Sequence, residues 1–499
     1  MNEARLHVQP RRIVGRRDGM IYGHFLEHFH RQIYGGIYQR GGSSLSNERG
    51  LRIDVMDALK HIKTPVIRWP GGCYVSAYHW KAGVGPVREP AFDKAWRVEE
   101  PNTFGTDEFI AFCREVGAAP YICTNAGTGG PEEMSDWVEY CNLPSAGHWA
   151  KLRAANGHPE PYGVKYWSIG NENYLPSEMG SKTPAEWCLF VREAGKMMKR
   201  VDPTIQLLAA STDNLDWNIG LLREAGRLLD WISLHGYWDG LWQINDLARY
   251  ETCMAYTLEI EPPLLKMEAI LRSLGMLGKV RIAYDEWNLR GWHHPDVDVA
   301  GKDCWTPRDK NDLNQSYTMA DAVFSACFLN RCLAHCATVG MANFAPTVNT
   351  RGALFVHDDG IVKRSTYHVF DLYANSMGET VVDSWLEGGG SFEAATRGET
   401  RNVPDLDAVA TLWEADGSLR VSLVNRSPDR TARLELHVGD ARFDGAASLQ
   451  TLTAEDKDSF NDVGHPDTAS IRATPTGKAR SGTIRVELPP HSVSVLTVR

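Results

Sequence analysis

Between residues 20 and 375 the chain alternates short apolar runs with amphipathic stretches, and each change of period falls at a turn or cap signal. Short unbroken apolar runs suit buried strands, and apolar residues spaced three and four apart suit helices. The segments 20–25, 66–69, 120–124, 165–170, 206–210, 231–235, 280–285 and 338–342 read as strands. The helices between them have legible ends. Thr106 is placed to cap a helix over 107–116, with Gly117 where a left-handed closing residue belongs. Thr183-Pro184-Ala185-Glu186 is a capping box with proline in the first turn, and the helix it opens buries Phe190, Val191, Ala194 and Met198 before Pro203 stops it. A further long amphipathic stretch covers 314–332.

Strand followed by helix, repeated eight times, predicts a (β/α)8 TIM barrel with long loops. A doubly wound sheet is the competing arrangement. The barrel is preferred because polar and aromatic residues stand just beyond nearly every strand: His24 and Glu27, Arg68 and Trp69, Asn125, Asn171 and Glu172, Ser211, His235 and Tyr237, Glu286, Asn343. A barrel assembles its site from most of its loops, whereas a switch-point crevice uses few. After residue 376 the texture changes. A polar stretch runs from 388 to 405, then β-like runs follow at 408–413, 419–424, 432–438, 448–452, 483–488 and 492–498. These predict an all-β sandwich. The segment 455–481, rich in Asp, Gly, Pro and Thr, reads as a long exposed loop. The expected division is a catalytic barrel over 16–375 and a sandwich over 376–499, joined by a strand from residues 1–15.

Composition narrows the classes. A chain of 499 residues with 43% hydrophobic and 23% charged positions fits a soluble globular protein. The formal net charge of −10 excludes nucleic acid and anionic membrane surfaces as expected partners. No apolar stretch is long enough to span a bilayer, and the first residues lack the apolar core of a secretory signal. The 10 cysteines include no Cys-x-x-Cys pair, which suits reduced thiols and a cytoplasmic protein. The 16 tryptophans suit sugar binding, because a flat indole covers the C–H face of a ring, although they also suit a large core.

Two glutamates carry the chemistry. Glu172 closes the run Lys165-Tyr166-Trp167-Ser168-Ile169-Gly170-Asn171-Glu172, and Glu286 stands in Tyr284-Asp285-Glu286-Trp287-Asn288. They follow the fourth and seventh strands, whose ends face each other across a closed barrel. A carboxylate pair across a cleft is what glycoside hydrolysis needs: one group protonates the leaving oxygen, the other attacks the anomeric carbon or activates water. Strand alternation turns Asp285 away from the side that Glu286 faces. The Tyr237 hydroxyl suits holding a nucleophilic carboxylate, Arg68 suits stabilising an ionised glutamate, and His235 is a supporting neighbour. Glu27 suits a sugar hydroxyl, Asn171 offers an amide to another, and Trp69 offers an aromatic face. The histidines at 24, 28, 30, 293 and 294, and the set Cys332, His335 and Cys336, have no zinc-ligand spacing, so no metal is expected. No phosphate loop, nucleophile elbow or dinucleotide fingerprint occurs in context.

The ordered set Gly23-His24-Phe25-Leu26-Glu27-His28, Ile33-Tyr34-Gly35-Gly36, Arg68-Trp69-Pro70-Gly71-Gly72, Tyr78-His79-Trp80, Gly170-Asn171-Glu172, His235-Gly236-Tyr237 and Asp285-Glu286-Trp287-Asn288 resembles glycoside hydrolase family 51 along essentially the whole chain. These are mainly α-L-arabinofuranosidases of clan A. The resemblance implies a retaining double displacement without metal or organic cofactor, with Glu172 as acid/base and Glu286 as nucleophile. Glu27 and Asn171 would bind furanose hydroxyls, and Tyr237 would orient the nucleophile. It also implies a homo-oligomer, often a hexamer, and an arabinose-containing oligosaccharide or polysaccharide as substrate. Two positions depart from the common pattern: Cys73 stands where a sugar-binding Asn is usual, and Pro346 where Gln is usual. An unpaired contact typically costs about 1–3 kcal/mol. The departures leave open another glycoside, such as a β-xyloside or β-glucan, and a non-catalytic carbohydrate-binding protein.

Overall fold

The computed structural model describes residues 4–39, 43–212, 214–241, 246–291, 312–440 and 443–499. Eight parallel strands form the central barrel: Gly23–Phe25, Val66–Trp69, Ala119–Thr124, Tyr166–Ile169, Gln206–Ala209, Trp231–Asp239, Arg281–Arg290 and Val339–Phe344. They are called the first to eighth barrel strands below. Neighbours pair in parallel register from the fifth strand back through the first to the eighth and on to the sixth. The remaining junction, fifth to sixth, is made by Asp230 N donating to Leu207 O at 2.9 Å. The fold is the TIM barrel that the strand–helix alternation predicts.

The barrel interior is layered. Val66, Tyr121, Leu208, Trp231, Ala283 and Met341 fill its lower part as one apolar cluster. Above it the inward residues turn polar, and there the site begins. The helices pack outside. Pro184–Val201 opens on the expected capping box, with Glu186 N donating to Thr183 Oγ1 at 3.4 Å and Thr183 N to Glu186 Oε2 at 2.8 Å. It buries Trp187, Val191, Ala194 and Met198, but Phe190 is only half-buried, under the Lys182 ammonium 4.8 Å from its ring. Thr106–Val116 is capped by Gly105, not Thr106, with Gly105 N donating to Glu108 Oε2 at 2.8 Å.

The helix Met319–Ala334 was expected to be amphipathic and is instead buried nearly all round. It lies between the barrel and a nine-stranded sheet made mostly from the C-terminal segment, so it has no solvent face to keep polar. Asn330 Nδ2 and Arg331 Nη2 tie it to Asp407 of that sheet at 2.7 and 2.8 Å. Ala4–Arg16 runs within the sheet, antiparallel to Thr380–Gly388 and parallel to Ala432–Val438. Leu449 and Leu488, from strands far apart in the sheet order, share one core with Leu6, Val8 and Leu436, so the sheet curls over on itself as a sandwich does. The expected loop over 455–481 and the polar stretch over 388–405 both contain strands. Ser470–Lys478 pairs with Ala446–Thr453, and the polar stretch after residue 388 forms the hairpin Ser391–Thr396/Glu399–Pro404. Their faces are largely wet, so neither carries an apolar alternation to read.

Candidate active site

The polar upper tier is built around Asp285. Its carboxylate accepts from the Tyr121 hydroxyl at 2.6 Å and from the Ser233 hydroxyl, and the Arg68 Nε lies 3.5 Å away. Burial opposes this charge, but Arg68 and His235 outweigh it and hold the carboxyl far below the usual range. Alternation had turned Asp285 away from Glu286. Both in fact enter the barrel, because the seventh strand slips register between Ala283 and Glu286 against the sixth, and between Tyr284 and Trp287 against the eighth. Such a bulge breaks the two-residue period and re-aims the side chains beyond it.

Glu286 sits directly above, 7% exposed. Arg68 Nη1 donates to its Oε2 at 2.7 Å, and the Tyr237 hydroxyl donates to its Oε1 at 2.6 Å. Burial pushes its carboxyl up, but the His235 and Arg68 charges and the Tyr237 bond outweigh burial, and the group lies below the ordinary glutamate value. His235 joins the two glutamates. Its Nδ1 lies 2.9 Å from Glu172 Oε1 and 3.7 Å from Glu286 Oε2, and its Nε2 lies 3.4 Å from Asp285 Oδ1. Burial disfavours an imidazolium, yet Glu286, Asp285 and Glu172 together raise it to about 10. Because one nitrogen touches both carboxylates, those two oxygens are no farther apart than the sum of the two contacts.

Backbone geometry delivers these groups. Glu172 has a left-handed φ of 47°, uncommon for a residue with a side chain and a mark of functional turns. The Pro70-Gly71-Gly72 turn passes under the carboxylates. A Cβ on Gly71, at φ 153°, would lie 2.3 Å from Glu27 Cγ, so only glycine fits. Glu27 Oε1 accepts from Gly72 N at 2.9 Å, Tyr74 N at 3.1 Å and Trp96 Nε1 at 3.2 Å. Burial, then the Glu286 charge, nevertheless lifts Glu27 to about 8. Asn171 Oδ1 accepts from Arg68 Nη2 at 2.8 Å, while its buried Nδ2 has no hydrogen-bond partner among the described residues.

Glu27, Cys73, Glu172, Tyr237 and Glu286 thus line one cavity of about 730 Å³, with Arg68, Asn171 and His235 in its wall. Trp69 is the exception. Its ring is fully buried against Phe109 at 4.8 Å, and its Nε1 donates to His28 Nε2 at 3.0 Å. A strand-end aromatic pointing outward packs under the helices, so Trp69 offers no face to a sugar. Among the described residues, the tryptophan that lines the cavity is Trp96, from the loop after the second strand. His28 is held by Glu100 at 2.9 Å, and His335 by Glu268 and Glu261, both at 3.0 Å. His293 and His294 lie outside the described residues.

Sequence reasoning also missed Arg351 and Glu178, which line the same cavity. Arg351 follows two consecutive left-handed residues, Asn349 at φ 55° and Thr350 at φ 48°, and its Nη2 donates to the Tyr237 hydroxyl at 3.3 Å. Nothing in a single sequence signals such a turn; the polar cluster after the eighth strand was the only hint.

Two carboxylates meeting over one cavity at a barrel mouth are the working parts of a glycosidase, and known proteins place this chain in that class. Residues 58–254 match the alpha-L-arabinofuranosidase 1 domain, and residues 285–492 the alpha-L-arabinofuranosidase C-terminal domain. The chain is 33% identical over 474 residues to alpha-L-arabinofuranosidase C of Emericella nidulans, covering 90% of this chain and 88% of that one. It is 32% identical over 454 residues to the intracellular exo-alpha-(1->5)-L-arabinofuranosidase of Halalkalibacterium halodurans, covering 89% and 88%. The crystal structure of the Thermotoga maritima alpha-L-arabinofuranosidase in complex with arabinose superposes with a TM-score of 0.89 at 35% identity, covering 99% and 100%. The chain belongs to the α-L-arabinofuranosidases of glycoside hydrolase family 51.

Proposed function

We propose that this protein is a retaining, exo-acting α-L-arabinofuranosidase that releases terminal arabinofuranose from arabino-oligosaccharides or hemicellulose side chains. The observation that carries the retaining mechanism is the shared contact of Glu172 and Glu286 with His235 Nδ1, at 2.9 and 3.7 Å. It caps the distance between those two oxygens at the lower edge of the roughly 6.5–9.5 Å range that accommodates an inverting water, which favours the separation of about 5–5.5 Å used for double displacement.

In the first step Glu286, held ionised by Arg68, His235 and Tyr237, attacks the anomeric carbon while Glu172 protonates the leaving oxygen. Glu172 becomes an anion as it gives up the proton, and His235 Nδ1 stabilises it through its Oε1. In the second step Glu172 takes a proton from water, which displaces Glu286 from the ester and restores both groups. The orphan Asn171 Nδ2 is a donor ready for a furanose hydroxyl, and Glu27, protonated near neutral pH, serves a second one. No step calls on a metal or organic cofactor. The catalytic unit is taken as residues 16–375, with 376–499 and the N-terminal strand as a supporting domain.

The Halalkalibacterium relative is named intracellular, and among the described residues no helix is long and apolar enough to cross a membrane. The relative's name supports a cytoplasmic enzyme. Family resemblance supports a homo-oligomer, which light scattering measures directly. A panel of aryl glycosides tests the substrate, and proton NMR of the first-formed sugar tests the stereochemistry. Turnover confined to α-L-arabinofuranoside with an α-configured product is expected. Preference for a β-xyloside or β-glucoside, or a β-configured arabinose product, overturns the corresponding part, and binding without turnover overturns the catalytic reading.

A further inference from the structure

Glu178 lies in the loop that follows Glu172, is buried at 7% exposure, and lines the same cavity. Ser76 Oγ donates to its Oε1 at 2.6 Å, and the Cys73 thiol hydrogen-bonds the same carboxyl. The position is fixed by backbone packing. Leu175 N donates to Glu172 O at 2.8 Å and Glu178 N to Leu175 O at 3.0 Å, so the loop is wound tightly onto the Glu172 turn. A Cβ on Gly180 would lie 2.2 Å from Gly127 Cα, and one on Gly127 would lie 2.2 Å from Ser76 O. Three backbone segments therefore abut with no room to shift, and they present one carboxyl beside Cys73 and Glu172.

We propose that Glu178 is a substrate-binding residue that takes a hydroxyl of the arabinofuranose in place of the amide absent at position 73. This inference rests on the arabinofuranosidase reading above. A thiol is a weak hydrogen-bond partner, so Cys73 is a poor substitute for an amide, and the strong polar group nearest to it is Glu178. Asn171 Nδ2, buried beside Glu27 and Glu286 around Gly72 and without a partner among the described residues, is a second independent sign that the cavity is shaped for a polar ligand. Burial chiefly, opposed by the Ser76 and Cys73 bonds, lifts Glu178 to about 7. Near neutral pH it therefore both donates and accepts, as a sugar hydroxyl does. The other carboxyls serve different parts of the sugar: Glu286 and Glu172 the reacting bond, and Glu27, held by Gly72 N and Tyr74 N, a separate hydroxyl.

The test measures kcat/KM of wild type, Glu178→Ala and Glu178→Gln on an aryl α-L-arabinofuranoside and on its three monodeoxy analogues, at positions 2, 3 and 5. Glu178→Ala is expected to lower kcat/KM on the parent glycoside by roughly tenfold to a hundredfold. On one of the deoxy analogues that penalty disappears, because the hydroxyl that Glu178 holds is gone. Glu178→Gln keeps the Ser76 bond and repeats the same hydroxyl-specific pattern at smaller amplitude, so a misfolded alanine variant does not decide the matter. An equal penalty on all three analogues, or no penalty on the parent, overturns the inference while leaving the arabinofuranosidase reading intact. A wild type inactive on every arabinofuranoside overturns that reading and this inference with it.

Discussion

Replacing Tyr237 by Phe removes one hydroxyl and leaves the ring. That hydroxyl donates to Glu286 Oε1 at 2.6 Å and accepts from Arg351 Nη2 at 3.3 Å. A hydrogen bond to a buried carboxylate is worth about 1.5–3 kcal/mol. Since 1.36 kcal/mol corresponds to about one pKa unit, losing it moves Glu286 upward by roughly one to two units. As the proposed nucleophile, Glu286 must be ionised to attack, so the acid limb of kcat/KM is expected to shift to higher pH by that amount. Stability follows with a definite sign. A carboxyl depressed in the folded state adds stability above the unfolded glutamate pKa of about 4.3 and loses it as pH falls through the folded value. The Tm deficit of Tyr237→Phe is therefore present at neutral pH and shrinks as the pH drops below about 4. The assay is a pH profile of kcat/KM on an aryl arabinofuranoside, with melting curves at matched pH. A lowered plateau with the acid limb unmoved refutes the reasoning, because Tyr237 would then position substrate without tuning the nucleophile.

Glu172→Ala should lose roughly 10²–10⁴-fold in turnover of substrates with poor leaving groups, much less with an activated aryl leaving group, and recover with added azide; absence of rescue counts against the acid/base role. His235 is raised to about 10 in the folded protein, so its contribution to stability is full below the unfolded histidine value of about 6.5 and fades as pH rises through about 10. The Tm gap between wild type and His235→Gln should narrow across that window, and a gap that widens contradicts the assigned charge. Trp69→Ala should destabilise by about 3–5 kcal/mol in denaturant titrations, as truncation of a large core aromatic does, with KM little changed wherever the fold persists; a KM effect without a stability effect would restore Trp69 to the sugar site.

The apolar runs located the barrel strands because those residues face a dry interior below and packed helices outside. They failed where the interior becomes polar. The sixth and seventh strands continue to Asp239 and Arg290, but His235, Asp285, Glu286 and Asn288 interrupt the pattern while the backbone ladder runs on. At the other end, residues 20–22 read as strand and lie in the 3-10 turn Gly19–Tyr22, because Asp18 Oδ1 accepts from Met20 N at 3.0 Å and caps it. Glu172 and Glu286 were legible because a carboxylate beside a buried strand has few structural excuses. Asp285 was misplaced by a bulge, and a bulge leaves no mark on hydrophobicity. Arg351 and Glu178 reach the cavity from loops whose course is set by left-handed turns and by glycine contacts between segments distant in sequence. Tryptophan count suggested sugar binding, yet Trp69, Trp80, Trp137, Trp167, Trp187 and Trp287 are all fully buried; composition reported the core as much as the site.

The central claim is that Glu286 becomes covalently bonded to the sugar while Glu172 manages the proton. The most direct measurement is mass spectrometry of Glu172→Ala after mixing with an aryl arabinofuranoside that carries an activated leaving group. Departure of that group needs no acid, and hydrolysis of the ester lacks its base, so the glycosyl-enzyme should accumulate. The account predicts one arabinosyl adduct, carried after proteolysis by the peptide containing Glu286. Release of the aryl group with no adduct at any time, or an adduct on a different residue, would contradict it.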